Sequence, residues 1–222
     1  MNRLQIAGTL LLIAGIQFII GAHIAESTYP GYSVNENYLS DLGATVRFTE
    51  SGVTTIIQQP ASLIFTIIVL TVGAFSATSA YLISLNVKSK RFVILVGLFG
   101  IAMVGIATFS EVFTLIHGIF SLTAFFSFSF AAILSYKFQK RPMSYISVIL
   151  GVIALIAIFL LELSSLDQIL PELGLLASSF PSFNTPIGIG GMERMIAYPM
   201  MLWLVMFGAS LIAAPESVSK AE

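Results

Sequence analysis

Long apolar stretches alternate with polar connections along the whole chain. Read at helical spacing, they run from Leu4 to Ile24, Ala61 to Leu85, Phe92 to Phe109, Ile116 to Tyr136, Tyr145 to Leu161 and Met195 to Ala213. An α-helix rises about 1.5 Å per residue, so about 20 apolar residues cross a hydrocarbon core about 30 Å thick. The pattern predicts an all-α fold, in which residues 1–222 form a single membrane domain built as a bundle of six transmembrane helices.

The composition supports a membrane environment. Hydrophobic residues make up 57% of the chain and charged residues only 9%. A soluble protein of this size could not cover so apolar a core with polar surface, so the lipid bilayer is the expected partner. The net charge of −1 gives no argument for binding nucleic acid. The absence of cysteine excludes disulfides, thiolate nucleophiles and thiolate metal ligands.

Lysine and arginine are sorted onto alternate connections. Those expected on one side are Arg3, Lys88, Lys90, Arg91, Lys137, Lys140, Arg141 and Lys220, while Arg47 and Arg194 fall on the other. Because cytoplasmic connections carry the excess of basic residues, we expect both termini to be cytoplasmic and the protein to lie in the cell membrane. A signal peptide is the rival interpretation of the N-terminus. The run from Leu4 to Ile24 is longer than a usual signal core, and residues 22–25 form a poor cleavage site.

The two long outward connections cover residues 25–60 and 162–194. The first contains a Pro30-Gly31 turn signal together with Tyr29, Tyr32 and Tyr38, and its aromatic content favours an ordered segment. It is interpreted either as a structured cap on the bilayer interface or as a loop that grips a ligand. In the second connection, apolar residues recur at near-helical spacing from Leu163 to Leu173, which predicts a short amphipathic interfacial helix acting as a plug or a lid.

A glycine-rich segment, Gly188-Ile189-Gly190-Gly191, precedes the last apolar stretch. Its spacing does not match a phosphate-binding motif. Flexible entry into the helix, or tight packing around it, is the better interpretation.

Ionisable and polar side chains collect near the outward ends of the predicted spans. The candidate ligand-binding residues are His23, Glu26, Asp41, Glu111, His117, Glu193, Arg194 and Tyr198. Ionisable groups at membrane depth usually face the protein interior or a water-filled cavity, so these residues predict a shared outward-facing polar pocket. The alternative is structural, with Arg194 pairing with Glu193, Glu111 or Asp41 to hold the helix ends together.

Three kinds of chemistry could be built from this cluster. His23, His117 and a carboxylate would suit zinc, although no local pair of metal ligands strengthens that signal. The same two histidines could ligate a b-type haem. His117 could also act as a base beside Glu111. No catalytic residue or cofactor follows from the sequence, and ion-coupled transport is disfavoured because the middles of the spans lack acids and bases.

Two segments carry a family resemblance. Pro30-Gly31-Tyr32-Ser33, followed by Asn37-Tyr38-Leu39-Ser40-Asp41-Leu42-Gly43, resembles the signature of an uncharacterised archaeal and bacterial family of membrane proteins, domain of unknown function 998. Gly191-Met192-Glu193-Arg194 is similar to the start of that family's final span. The resemblance implies a multi-span membrane protein with no assigned reaction.

The functional hypothesis is an integral membrane protein whose outward pocket binds a small molecule, a lipid headgroup or a partner. The first alternative is a metal-dependent or acid–base enzyme that modifies lipids. A non-catalytic subunit of a membrane assembly and a bis-histidine haem protein are the further alternatives.

Overall fold

Six long helices form a closed ring in the computed structural model, which describes residues 1–49, 52–172 and 187–215. They are α1 (Arg3–Ser27), α2 (Ala61–Ser84), α3 (Lys90–Thr108), α4 (Thr114–Leu134), α5 (Met143–Glu172) and α6 (Gly188–Ala213). Each helix packs on the next in sequence, and α6 packs back on α1. All six contain a segment long and apolar enough to cross a membrane. The predicted all-α bundle of six transmembrane helices is confirmed.

The two ends of the bundle differ in charge. The basic end carries the short connection between α2 and α3 and the one between α4 and α5, which contain the clustered lysines and arginines. The acidic end carries the long connection from α1 to α2, the start of α6, and a turn of 3₁₀ helix, Glu111–Phe113, that precedes α4. The candidate site residues therefore all lie at the acidic end.

Helix α6 begins earlier than the apolar run indicated. It starts at Gly188 rather than near Met195, so Glu193 and Arg194 lie on the helix and not in the preceding connection. Both side chains are buried, at 9% and 5% exposure. Each can therefore act inside the bundle rather than at its surface.

The predicted interfacial segment falls partly outside the described residues. The backbone is helical as far as Glu172, where the segment continues α5 without a break. Residues 173–186 lie outside the described part of the chain. A lid or plug in this connection therefore stays a prediction.

Small residues bring α1 and α6 into direct backbone contact. A Cβ atom placed on Gly8 would lie 2.5 Å from the carbonyl oxygen of Gly208, and the reciprocal distance is also 2.5 Å. Side-chain hydrogen bonds also join α1 to α2, since Ser79 Oγ donates to the Ala7 carbonyl at 3.0 Å and Gln17 Nε2 to the Ile68 carbonyl at 2.9 Å. Close approach and interhelical hydrogen bonds are the usual means of helix association in lipid.

Aromatic side chains fill much of the ring. Trp203 stacks on Phe207 with ring centroids 5.1 Å apart, and Phe128 meets Trp203 edge-on at 5.8 Å. The indole nitrogen of Trp203 donates to Ser135 Oγ at 3.0 Å, which satisfies the only polar atom of this buried ring system. The interior around these rings is a packed core.

A two-stranded ribbon was not predicted. Strand β1 (Thr45–Thr49) pairs antiparallel with β2 (Gly52–Ile56), with Thr45 opposite Ile56 and Thr49 opposite Gly52. The sequence carries a signal for it, because two short runs rich in β-branched residues, the second beginning with a glycine, favour a hairpin. The long apolar stretches by themselves predict only helices.

The connection between α1 and β1 is folded onto the bundle. Leu39, Leu42 and Ala44 are buried, and Ser40–Leu42 form a turn of 3₁₀ helix. Tyr29 Oη lies 2.8 Å from Thr45 Oγ1, which ties the two ends of the connection together. These contacts support the interpretation of this segment as a structured cap.

Candidate functional site

The candidate residues separate into two neighbouring groups at the acidic end. The first, called the Arg194 clamp, consists of Arg194, Glu26 and Tyr32, with His23 and Tyr198 at its edge. The second, called the His117 cavity, is lined by four polar residues, Ser40, His117, Ser121 and Glu193, and by apolar side chains. Glu111 lies beside this cavity and is bonded to Ser40 of its wall, and Asp41 is the next residue after Ser40 in the chain.

The Arg194 clamp joins α1, the first long connection and α6. Arg194 Nη2 donates to Glu26 Oε1 at 2.6 Å and to Tyr32 Oη at 2.7 Å. Its Nη1 donates to the backbone carbonyls of Val34 at 3.0 Å, Asn37 at 3.3 Å and Gly190 at 2.9 Å. Charge-assisted hydrogen bonds to five partners fix this guanidinium in one position.

Tyr32 completes the clamp as both an acceptor and a donor. Its hydroxyl accepts from Arg194 and donates to the Tyr38 carbonyl at 2.8 Å. Burial raises the pKa of Tyr32 well above its ordinary value, although the neighbouring Arg194 acts in the opposite direction. The phenol therefore keeps its proton and its donor role under physiological conditions.

His23 and Tyr198 lie on the outer edge of the clamp. His23 Nδ1 is 3.1 Å from Glu26 Oε2, as the spacing of three residues on a helix predicts, and its side chain is 63% exposed. Its ring centroid lies 6.4 Å from that of Tyr198. His23 does not line the His117 cavity.

The start of α6 is bound tightly to the first connection. The carboxyl group of Glu193 accepts hydrogen bonds from the backbone N–H groups of Leu39 and Ser40. Gly190 N donates to the Asn35 carbonyl at 3.0 Å, and a Cβ atom on Gly190 would collide with the carbonyl oxygen of Asn37. The glycine-rich segment therefore serves close packing, one of the two interpretations drawn from the sequence.

Asp41 and Ser40 connect the cap to the start of α4. Asp41 Oδ2 accepts from Asn37 Nδ2 at 2.9 Å and from the Tyr38 backbone N–H at 3.0 Å, which holds the 3₁₀ turn in shape. Ser40 Oγ donates to Glu111 Oε1. The carboxyl groups of Asp41 and Glu193 are close enough to Glu111 to act on it electrostatically.

Within the described part of the chain, the imidazole of His117 is hydrogen-bonded at one nitrogen only. Its Nδ1 lies 2.8 Å from the Phe109 carbonyl oxygen. A carbonyl can only accept, so Nδ1 carries the proton and, in the neutral ring, Nε2 carries a lone pair. The side chain is 8% exposed, and within the described ranges Nε2 has no hydrogen-bond partner. His117 was expected to act beside Glu111, but the two side chains do not bond to each other, and Glu111 accepts from Ser40.

The His117 cavity is small and lies between the polar cap and the apolar core. Its volume is about 30 Å³, enough for a group the size of a water molecule. Apolar side chains from α1, α2, α3, α4 and α6 form the rest of its wall, among them Phe18, Phe65 and Met103. Of the predicted stripe on α4, His117 and Ser121 line the cavity, whereas Thr114 is exposed and bonds to the Glu111 carbonyl.

The two histidines do not form a common site. His23 belongs to the exposed edge of the clamp and His117 to the buried cavity. Across the described part of the chain, no three histidine or acidic side chains come together as a metal-binding group. The geometry therefore gives no support to the zinc and bis-histidine haem hypotheses.

Sequence reasoning missed three contributors to these groups: Tyr32, Ser40 and the Phe109 carbonyl. Tyr32 and Ser40 lie in the two parts of the first signature segment, which was their available signal. A backbone carbonyl carries no signal in the sequence. Its part in fixing the imidazole becomes visible only once α3 and α4 are packed.

A ring of six apolar helices, closed at one end by a bound cap, defines a polytopic α-helical membrane protein. The family described as Protein of unknown function (DUF998) matches residues 12–210, and the chain belongs to that family. No curated protein and no solved structure matches the chain. The two signature segments bind each other in the fold, through Arg194 to the Tyr32 hydroxyl and the Asn37 carbonyl and through Glu193 to the Leu39 backbone.

Proposed function

We propose that this protein is a membrane-embedded binding protein whose His117 cavity takes up a small molecule or part of a lipid headgroup. The observation that supports this function is the cavity-lining imidazole, which is fixed at Nδ1 and lacks a described partner at Nε2. The Nε2 lone pair of this cavity-lining ring is open to a hydrogen bond, so a partner for it contributes about 0.5–1.5 kcal/mol. A ligand with a donor group is such a partner.

The contrast with the Arg194 clamp strengthens the assignment. Arg194 Nη1 and Nη2 are satisfied by groups of the protein itself, so the clamp holds the helix ends and the cap together. Among the described residues, Arg194 Nε and Ser76 Oγ are the fully buried side-chain atoms without a partner, and neither residue lines the cavity. The clamp supports the structural alternative for Arg194, although its acid is Glu26 and not Glu193, Glu111 or Asp41 as that alternative predicted. The cavity is left as the place for a ligand.

The proposed orientation places the cavity near the outer surface. The basic residues at the opposite end favour a cytoplasmic position for that end and for both termini, in the cell membrane. A ligand would then arrive from outside the cell or from the outer leaflet. The apolar wall beneath the polar groups supports binding over passage through the bundle.

The chain offers a matched pair of variants for testing this function, since it has only two histidines. The purified protein, His117→Ala and His23→Ala are compared by native mass spectrometry after extraction from the membrane. We expect the wild type and His23→Ala to retain the same bound species, and His117→Ala to lose it. Equal retention in all three proteins, with equal thermal stability, would refute the proposed function.

A further inference from the structure

We infer that the His117 cavity recognises a primary ammonium group, carried either by a free amine or by a phosphatidylethanolamine headgroup. This inference rests on the proposed function and names the ligand chemistry of the same cavity. Hydrogen-bond direction, charge and size support it independently.

The polar groups that line the cavity are mainly acceptors. His117 Nε2 offers a lone pair because Nδ1 carries the proton. Ser40 Oγ uses its only proton on Glu111, so it offers lone pairs to any further neighbour. A carboxylate has about four acceptor positions, and the two backbone donors bound to Glu193 leave some of them open. The hydroxyl of Ser121 can rotate to accept as well.

The surrounding charges favour a cation. Glu193 lines the cavity, and Asp41 and Glu111 lie beside it, whereas no lysine or arginine is among the lining residues. The neighbouring Arg194 is directed to Glu26, at 2.6 Å. Carboxyl groups that lie together without a cationic partner favour their neutral form, so a cation that binds among them would stabilise the ionised form, whereas an anion would not.

The size and walls of the cavity select among cations. A volume of about 30 Å³ admits one group of the size of an ammonium, but not the four carbon substituents of a quaternary ammonium. A primary ammonium has three N–H donors for the acceptors of His117, Ser40 and Glu193, whereas a quaternary ammonium has none. Apolar side chains such as Phe65 and Met200 line the rest of this small space, so the ammonium group fills it and the carbon chain of the ligand lies outside it.

The test uses the wild-type protein and measures the ¹⁵N chemical shifts of His117, which lines the cavity. With ¹⁵N-labelled histidine, only two imidazoles give signals, and their Nδ1 and Nε2 resonances report the tautomer and the hydrogen bonding of each ring. Ethylammonium chloride and tetramethylammonium chloride are titrated separately at equal ionic strength. We expect ethylammonium to move the Nε2 signal of His117 in a saturable manner and tetramethylammonium to leave it unchanged, with the His23 signals as the internal control.

The lipid source is distinguished in nanodiscs of defined composition. If the ligand is a headgroup, discs containing phosphatidylethanolamine reproduce the Nε2 shift and discs of pure phosphatidylcholine do not. If the ligand is a free amine, neither lipid moves the signal and added ethylammonium does. Glu193→Gln is expected to weaken either form of binding about tenfold or more, because it removes a charge-assisted contact.

The outcomes separate this inference from the proposed function. The ammonium inference is overturned if neither ethylammonium nor either lipid shifts the Nε2 signal. If His117→Ala still loses a retained species in that case, the proposed binding function is retained. Equal responses to ethylammonium and tetramethylammonium also overturn it, since they would reflect charge without hydrogen-bond donation. Loss of no species in His117→Ala overturns both.

Discussion

Arg194 of α6 and Glu26 at the end of α1 lie 168 positions apart in the chain, and their side chains meet at 2.6 Å. This ion pair closes the ring of helices at the acidic end. It also places the first connection, because the same guanidinium binds two of that segment's carbonyls.

Replacing Arg194 by glutamine is expected to destabilise the protein by about 3–5 kcal/mol, because Glu26 would lose its buried ionic partner and several carbonyls their donor. Arg3→Gln, a change of the same kind at an exposed position, is the control. Denaturant unfolding of both variants in detergent micelles measures the difference. Equal stability of the two variants would contradict the assignment of Arg194 as the residue that holds α1, α6 and the first connection together.

Tyr32→Phe is expected to cost about 1–3 kcal/mol, since it removes an acceptor for Arg194 and a donor to the Tyr38 carbonyl. Tyr81→Phe, at a side chain that is 64% exposed, is the matched control and should be near neutral. Thermal unfolding of the two variants at neutral pH makes the comparison.

Tyr32 also makes a contribution that depends on pH. Its pKa in the folded protein lies above the ordinary phenol value of 10.0, with burial as the main cause. The neutral phenol is therefore favoured by folding, so its contribution is complete below about pH 10 and is lost as the pH rises through the folded pKa. The wild type should lose more stability above pH 10 than Tyr32→Phe does; parallel curves for the two proteins would contradict this.

Gly8→Ala is expected to destabilise the protein by about 1–3 kcal/mol, because the added methyl group would lie 2.5 Å from the Gly208 carbonyl oxygen and force α1 away from α6. Gly118→Ala makes the same chemical change in α4, where a Cβ atom meets nothing within 4 Å. It should be neutral or slightly stabilising, since alanine favours a helix over glycine by about 1 kcal/mol. Melting temperatures that fall equally would argue against the close α1–α6 contact.

The orientation can be tested cleanly because the chain contains no cysteine. We expect Thr54→Cys, in the exposed β2 strand at the acidic end, to react with a membrane-impermeant maleimide on intact cells. Asn86→Cys, in the exposed connection at the basic end, should react only after permeabilisation. The opposite pattern would place the His117 cavity on the cytoplasmic side.

The helical architecture could be predicted from the sequence because a backbone that crosses lipid must satisfy its own hydrogen bonds. Apolar stretches of bilayer length, such as residues 61–85, have to form helices that satisfy their own backbone, and the structure has α2 at Ala61–Ser84. This constraint does not apply to segments at the ends of the bundle, where the backbone can bond to water or to other parts of the protein. The start of α6 at Gly188 and the β1–β2 ribbon therefore did not follow from the apolar runs.

The sequence by itself determined that this is a six-helix membrane protein, and its charge pattern predicted that the candidate acids, both histidines and Arg194 gather at one end. Only the tertiary structure decided which of these residues contact each other. Arg194 pairs with Glu26, and His117 lines the cavity. Those partners are chosen by contacts between helices distant in sequence and by backbone carbonyls such as that of Phe109, which no residue pattern specifies.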